Sequence, residues 1–278
     1  MNEDVDVDTV DGNENEGTLA GYFTARDGGI ILALAAFALV TSVFGLKYVL
    51  PGGSAPGLVH AFLKMPGPGT GVFITSAFLC LWLVAGLLMV KKTGTAIVIA
   101  ILIFCATLGL RSIAPKLFAV DYLIVMVAII IECAGLLPLE KKPWQYLFPG
   151  CAGVMGIITL ALWLTGNAKM GENGAAATVF PLGYVVTGII AIALAVISFS
   201  FPMKYLAGAG AAEIFYVVFC WLYNGKSGFA SWIPVTPAIP PILTFALVSG
   251  AVMALLAYCA YFLVTSYEGE GPVVKLRR

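Results

Sequence analysis

Residues 242–264 read ILTFALVSGAVMALLAYCAYFLV, 23 positions without a charged side chain. About 20 mostly apolar residues carry an α-helix across the hydrocarbon core of a bilayer. Inside lipid every backbone N–H and C=O must be satisfied within the protein, which a spanning helix does by itself. Seven further apolar runs precede this one: Ile30–Leu46, Val72–Val90, Thr95–Leu110, Phe118–Leu139, Tyr146–Thr165, Val179–Met203 and Tyr205–Asn224. The expected fold is therefore all-α, a polytopic membrane helical bundle with about eight transmembrane helices.

Composition agrees. Of 278 residues, 60% are apolar and 11% are charged, against roughly 25% charged in soluble domains. This excludes an ordinary soluble enzyme, a disordered chain and a basic nucleic-acid-binding surface. Net charge is zero, but eight of the fifteen acids lie before Ile30. Residues 1–28 are expected to form a disordered acidic cytoplasmic tail, 29–266 the transmembrane helical domain and 267–278 a short basic cytoplasmic tail. No basic segment precedes the first apolar run, so a cleavable secretory signal is not expected.

Eight spans put both ends on one side. That side holds nine Lys and Arg: Arg26, Lys91, Lys92, Lys141, Lys142, Lys204, Lys275, Arg277 and Arg278. The other holds six: Lys47, Lys64, Arg111, Lys116, Lys169 and Lys226. Positive-inside bias places both termini in the cytoplasm of a multi-pass cell-membrane protein. The inner turns KKTG, EKKPWQ and PMK are short, whereas two outer connections are long and rich in Pro and Gly. The first, Pro51–Gly71, is itself apolar and reads as a lid over an outward cavity; a plain connector is the alternative.

Three acids fall inside the apolar runs: Asp121, Glu132 and Glu213. An acid inside a membrane is costly and marks a functional position by default. Asp121 and Glu132 are eleven residues apart, as are Glu213 and Asn224, so each pair shares a helix face. Glu132 precedes Lys141 by nine residues and Glu213 follows Lys204 by nine. At 1.5 Å per residue both glutamates are expected roughly 13 Å from the inner surface, lining one cavity. The small residues 207–212 (AGAGAA) before Glu213 permit close helix contact. Trp232 in the second outer connection is a stacking candidate. His60 and Lys64 belong to the first outer loop, and both also have a plain solvated reading. The expected substrate-binding residues are thus Asp121, Glu132, Glu213, Asn224, Trp232, His60 and Lys64.

One histidine, His60, excludes a bis-histidine haem or a multi-histidine metal site within the chain. The six cysteines stand in apolar stretches without a C-x-x-C pair and read as small core residues. No P-loop, dinucleotide fingerprint or aspartate-rich cluster occurs, and the GKSG at 225–228 lacks a histidine on a later helix. Neither a metal nor a cofactor is expected, and no enzymatic activity.

From Pro51 to about Gly156 the order is a Pro/Gly loop (FLKMPGPGTGVF), a basic inner turn (KKTG), an acid-bearing helix (VDYLIVMVAIIIECAGLLP) and a second basic turn (EKKPWQ). This order resembles the substrate-binding S components of energy-coupling-factor importers, of the thiamine and hydroxymethylpyrimidine type. That family usually has six spans, against eight here. The resemblance implies binding of a vitamin-like small molecule from outside. It also implies a coupling membrane subunit and separate ATPase subunits as partners beside the lipid bilayer, and no nucleic acid. Two alternatives stand beside it: a proton- or cation-coupled transport subunit working through Glu132 and Glu213, and a non-catalytic integral subunit of a larger complex.

Overall fold

The structure, a computed structural model, describes residues 22–41, 70–110, 122–165, 182–223 and 239–267. Among them are eight α-helices and no strand. They are α1 (Ala25–Leu39), α2 (Thr70–Val90), α3 (Thr95–Leu110), α4 (Tyr122–Leu136), α5 (Leu147–Leu164), α6 (Leu182–Ile197), α7 (Met203–Tyr223) and α8 (Ile239–Tyr267). Each overlaps one of the expected apolar runs.

Among the described residues, four segments are long and apolar enough to cross a membrane: Trp144–Leu164, Gly183–Ser200, Met203–Cys220 and Ile239–Ser266. Ser76–Val90, Thr95–Gly109 and Leu123–Leu136 form shorter apolar helices. The outer surface is also apolar. Leu32, Leu136, Ile157, Leu164, Val196 and Leu263 are all more than 60% exposed. Water would penalise such a surface by roughly 25 cal/mol per Å², while lipid would not. The chain is a helical membrane protein on these grounds.

Helices α2, α7 and α8 make the centre; α4 packs on α7 and α3, α1 lies across α2 and α3, and the α5–α6 hairpin leans on α8. Small residues set these approaches, since lipid gives helices no hydrophobic reason to associate and close packing must do so. A Cβ on Gly208 would stand 2.9 Å from Ala134 of α4, and one on Gly210 would stand 2.9 Å from Leu247 of α8. The 207–212 run thus lets α7 touch two neighbours, as its composition led us to expect. Gly156 and Gly188 do the same between α5 and α6, and Thr159 and Thr244 share a buried 2.8 Å hydrogen bond between α5 and α8.

The helix ends follow local chemistry. Thr24 starts α1 with a capping box: its Oγ1 accepts from Asp27 N at 3.2 Å, and its N donates to Asp27 Oδ2 at 2.9 Å. The helix therefore begins ahead of the apolar run. Pro138 stops α4 at Leu136, three residues short of the expected Leu139, because a residue before proline avoids the α region. Pro240 and Pro241 behave oppositely and sit in the first turn of α8, where the missing N–H has no partner to lose. The Pro-rich connection therefore gives way to helix earlier than its composition implies. Two of the six cysteines, Cys80 and Cys220, are buried; Cys105, Cys133, Cys151 and Cys259 are exposed on helix surfaces. That corrects the expectation of six core cysteines, since thiols cost little against lipid.

Candidate functional site

Glu213 stands in the middle of α7, ten residues beyond Met203, about 15 Å along the helix axis. It is fully buried. On α2, Ser76 and Cys80 are four residues apart and share a face; on α7, Ala209 and Glu213 do likewise. The two faces meet. Ser76 Oγ donates to Glu213 Oε1 at 2.7 Å, and Cys80 Sγ donates to the Ala209 carbonyl at 3.8 Å. The third side is closed by α8, where a Cβ on Gly250 would strike the Ala209 carbonyl and come within 3.0 Å of the Glu213 Cβ. Glycine is needed at 250 so that α8 can lie against this carboxyl. Glu213 Oε2 is buried and has no hydrogen-bond partner among the described residues. A negative charge there would have only the hydroxyls of Ser76 and, on α8, Ser249 near it, and a buried ion so thinly served is expensive.

Glu132 has a different setting. It lies four residues before the end of α4, about 6 Å from that end. Its Oε1 accepts from Ala96 N at 2.8 Å, on the first turn of α3. The carboxylate thus serves the free N–H groups and positive dipole end of α3 and ties α4 to it. Glu132 also lines a cavity of about 370 Å³ at the lysine-bearing end of the bundle, with Lys91, Lys92, Lys204, Tyr205 and Tyr261. Lys204 Nζ lies 5.2 Å from the Tyr205 ring centroid.

The two glutamates therefore occupy different places. Equal sequence distance from a lysine does not become equal depth, because Leu137–Pro143 is a turn rather than a continuation of α4. Glu213 faces the α2–α7–α8 crossing and Glu132 the α3–α4 end, and among the described residues the cavity that Glu132 lines does not include Glu213. The rest of the Glu213 stripe behaves as one face: Tyr216, Val217 and Cys220 are all buried. Asp121, Asn224, Trp232, His60 and Lys64 lie outside the described residues, as does the Pro51–Gly71 segment apart from the first residues of α2. Sequence reasoning missed Ser76 and Cys80. Their four-residue spacing was visible, but a hydroxyl in an apolar run carries no signal of what it faces.

The turn beneath the site is held by charge. Lys91 ends α2 in the left-handed region at φ 57°, Gly94 follows at φ 87°, and Thr95 Oγ1 donates to the Lys92 carbonyl at 2.7 Å. Lys92 Nζ lies 3.0 Å from Asp27 Oδ2 and also donates to the Tyr22 carbonyl. The Thr24 backbone N–H, then Lys92, hold the Asp27 carboxyl down to about 2. Among the described residues no group of three or more His, Cys, Asp or Glu is placed to hold a metal ion.

Comparison with protein-family models, with curated proteins and with solved structures found no match to this chain.

Proposed function

We propose that this chain is an eight-span cell-membrane protein, both termini cytoplasmic, that moves a small solute across the bilayer by exchanging a proton or other cation at Glu213. The observation that carries this reading is the Glu213 carboxyl itself. It sits at the crossing of the three central helices, with one oxygen bonded to Ser76 and the other without a partner. An acid so costly is tolerated where its neutralisation and release do work, and small displacements among α2, α7 and α8 would change its surroundings most. Glu132 does not serve this role; its carboxylate is engaged by the start of α3.

Of the two modes of energising considered above, this favours gradient coupling over solute binding between two facing glutamates, because the glutamates face different helices. The resemblance to vitamin-importer S components keeps vitamin-like and amine-bearing molecules as the solute classes to test first, since a carboxylate in a low-dielectric site favours cations. The test uses the full chain in proteoliposomes under an imposed pH gradient without ATP, with a panel of such solutes. At least one solute accumulates, an ionophore that dissipates the gradient stops it, and Glu213→Gln stops it too. Accumulation that ignores the gradient, or that survives Glu213→Gln, overturns the reading.

A further inference from the structure

A second concavity lies on the lateral face of the bundle, between α1, α2 and α8. It is a groove of about 450 Å³, and its walls are apolar: Ile30 and Leu34 from α1, Leu81 and Trp82 from α2, Val264 from α8. At one end the lining turns cationic, with Arg26 and Lys91. The two walls run in parallel from that end. Arg26 to Leu34 is eight residues and Lys91 to Leu81 is ten, so the apolar part is about 12–15 Å deep. Half of a hydrocarbon core of about 30 Å is about 15 Å. The groove is as deep as one leaflet.

Its charges are sorted for an anionic partner. Asp27 also lines the groove, but its carboxylate is already taken by Lys92 at 3.0 Å and by the Thr24 cap. Arg26 and Lys91 form no ion pair among the described residues. Lys91 Nζ rests 5.6 Å from the Tyr261 ring centroid, and Lys91 and Tyr261 line both this groove and the neighbouring 370 Å³ cavity. The far wall is rigid: Trp82 stacks on Phe37 at 5.3 Å and donates from Nε1 to Thr41 Oγ1 at 2.7 Å.

From this geometry we infer that the groove holds one anionic phospholipid, an acyl chain along Ile30, Leu34, Leu81 and Trp82 and the headgroup phosphate against Arg26 and Lys91. A zwitterionic lipid fills the apolar part equally well but gains less at the rim, where each cation near an anionic headgroup counts for about tenfold at most in occupancy. The inference requires only that the bundle is embedded in lipid, and is independent of Glu213.

Trp82 makes the occupant measurable. The full chain is reconstituted in phosphatidylcholine vesicles containing increasing fractions of chain-brominated phosphatidylglycerol, and the Trp82 emission is taken as the difference between wild type and Trp82→Phe. The expected result is quenching that saturates at a low phosphatidylglycerol fraction, while brominated phosphatidylcholine quenches only in proportion to its abundance. Arg26→Gln with Lys91→Gln raises the half-saturating fraction by roughly tenfold or more. Ala85→Phe, which fills the groove and leaves the cations in place, removes the quenching. Inorganic phosphate at millimolar concentration does not compete, which separates a lipid from a free anion. Glu213→Gln leaves the titration unchanged. Equal quenching by the two brominated lipids overturns the inference, as does a titration unaltered by the Arg26/Lys91 double variant. Preference for phosphatidylglycerol that emerges only after residues 1–20 are removed would mean that the acidic tail occupies the rim, and would also overturn it.

Discussion

Glu213 and Glu132 are the same side chain in two apolar helices that pack side by side; both are buried, but the groups that face them differ. Glu132 is near the end of its helix, bonded to the Ala96 N–H, beside a cavity with three lysines. Glu213 is mid-helix, enclosed by Ser76, Cys80, Ala209, Ser249 and Gly250, with no backbone N–H bonded to its carboxyl and no hydrogen bond at Oε2 among the described residues. The contrast shows that an acid within an apolar run has no fixed meaning. What decides is whether a helix end is within reach, because a helix N-terminus supplies N–H donors and a favourable field that the middle of a bundle lacks.

The contrast can be broken by substitution. The largest effect is expected from Gly250→Val, which drives a side chain into the Ala209 backbone and the Glu213 Cβ. Thermal unfolding in detergent should show a loss of about 3 kcal/mol, the upper part of the overpacking range. A loss below about 1 kcal/mol would mean that α8 does not close the Glu213 site. Glu132→Ala comes next. It strands the Ala96 N–H and should cost about 1–3 kcal/mol, with Glu132→Gln costing less because an amide oxygen still accepts. If Glu132→Ala instead leaves stability intact, the carboxylate is not fastening α3 to α4. Glu213→Gln keeps the volume and the Ser76 bond and should cost no more than about 3 kcal/mol, the penalty of an unpaired buried amide N–H, while removing gradient-driven transport. A larger loss in stability would make Glu213 a structural residue.

The smallest effect sharpens the comparison at the membrane surface. Asp27 has its carboxyl lowered to about 2 from an ordinary 3.8, by the Thr24 N–H first and Lys92 second. A folded value below the unfolded one stabilises the fold above the unfolded value, and that contribution fades as pH falls from about 4 through about 2. Stability followed over that window should drop less steeply in Asp27→Asn than in wild type. Identical slopes would show that the Asp27–Lys92 contact does not tie the start of α1 to the α2–α3 turn.

Much of the fold could be read from residue order because uncharged runs in a lipid solvent have few alternatives. Each of the eight runs overlaps a helix, and the 207–212 small residues make the contacts their size allows. Depth was harder. The expectation of matched glutamates counted every residue from Glu132 to the surface marker Lys141 as helix, whereas the helix ends at Leu136 ahead of Pro138, which leaves Glu132 close to its helix end. Partners across helices were hardest. Ser76 is one hydroxyl among many, and nothing in a linear pattern states that α2 turns it toward α7. The groove between α1, α2 and α8 was equally hidden, since Arg26 and Lys91 read only as orientation markers until three helix ends came together.

The most direct test of the central claim is an infrared difference spectrum of the reconstituted full chain between two pH values, read in the carboxyl C=O region. A band that responds to pH in wild type and in Glu132→Gln, and is missing from Glu213→Gln, is the predicted result. A band that survives Glu213→Gln unchanged, or that disappears only with Glu132→Gln, would contradict the assignment of proton exchange to the α2–α7–α8 crossing.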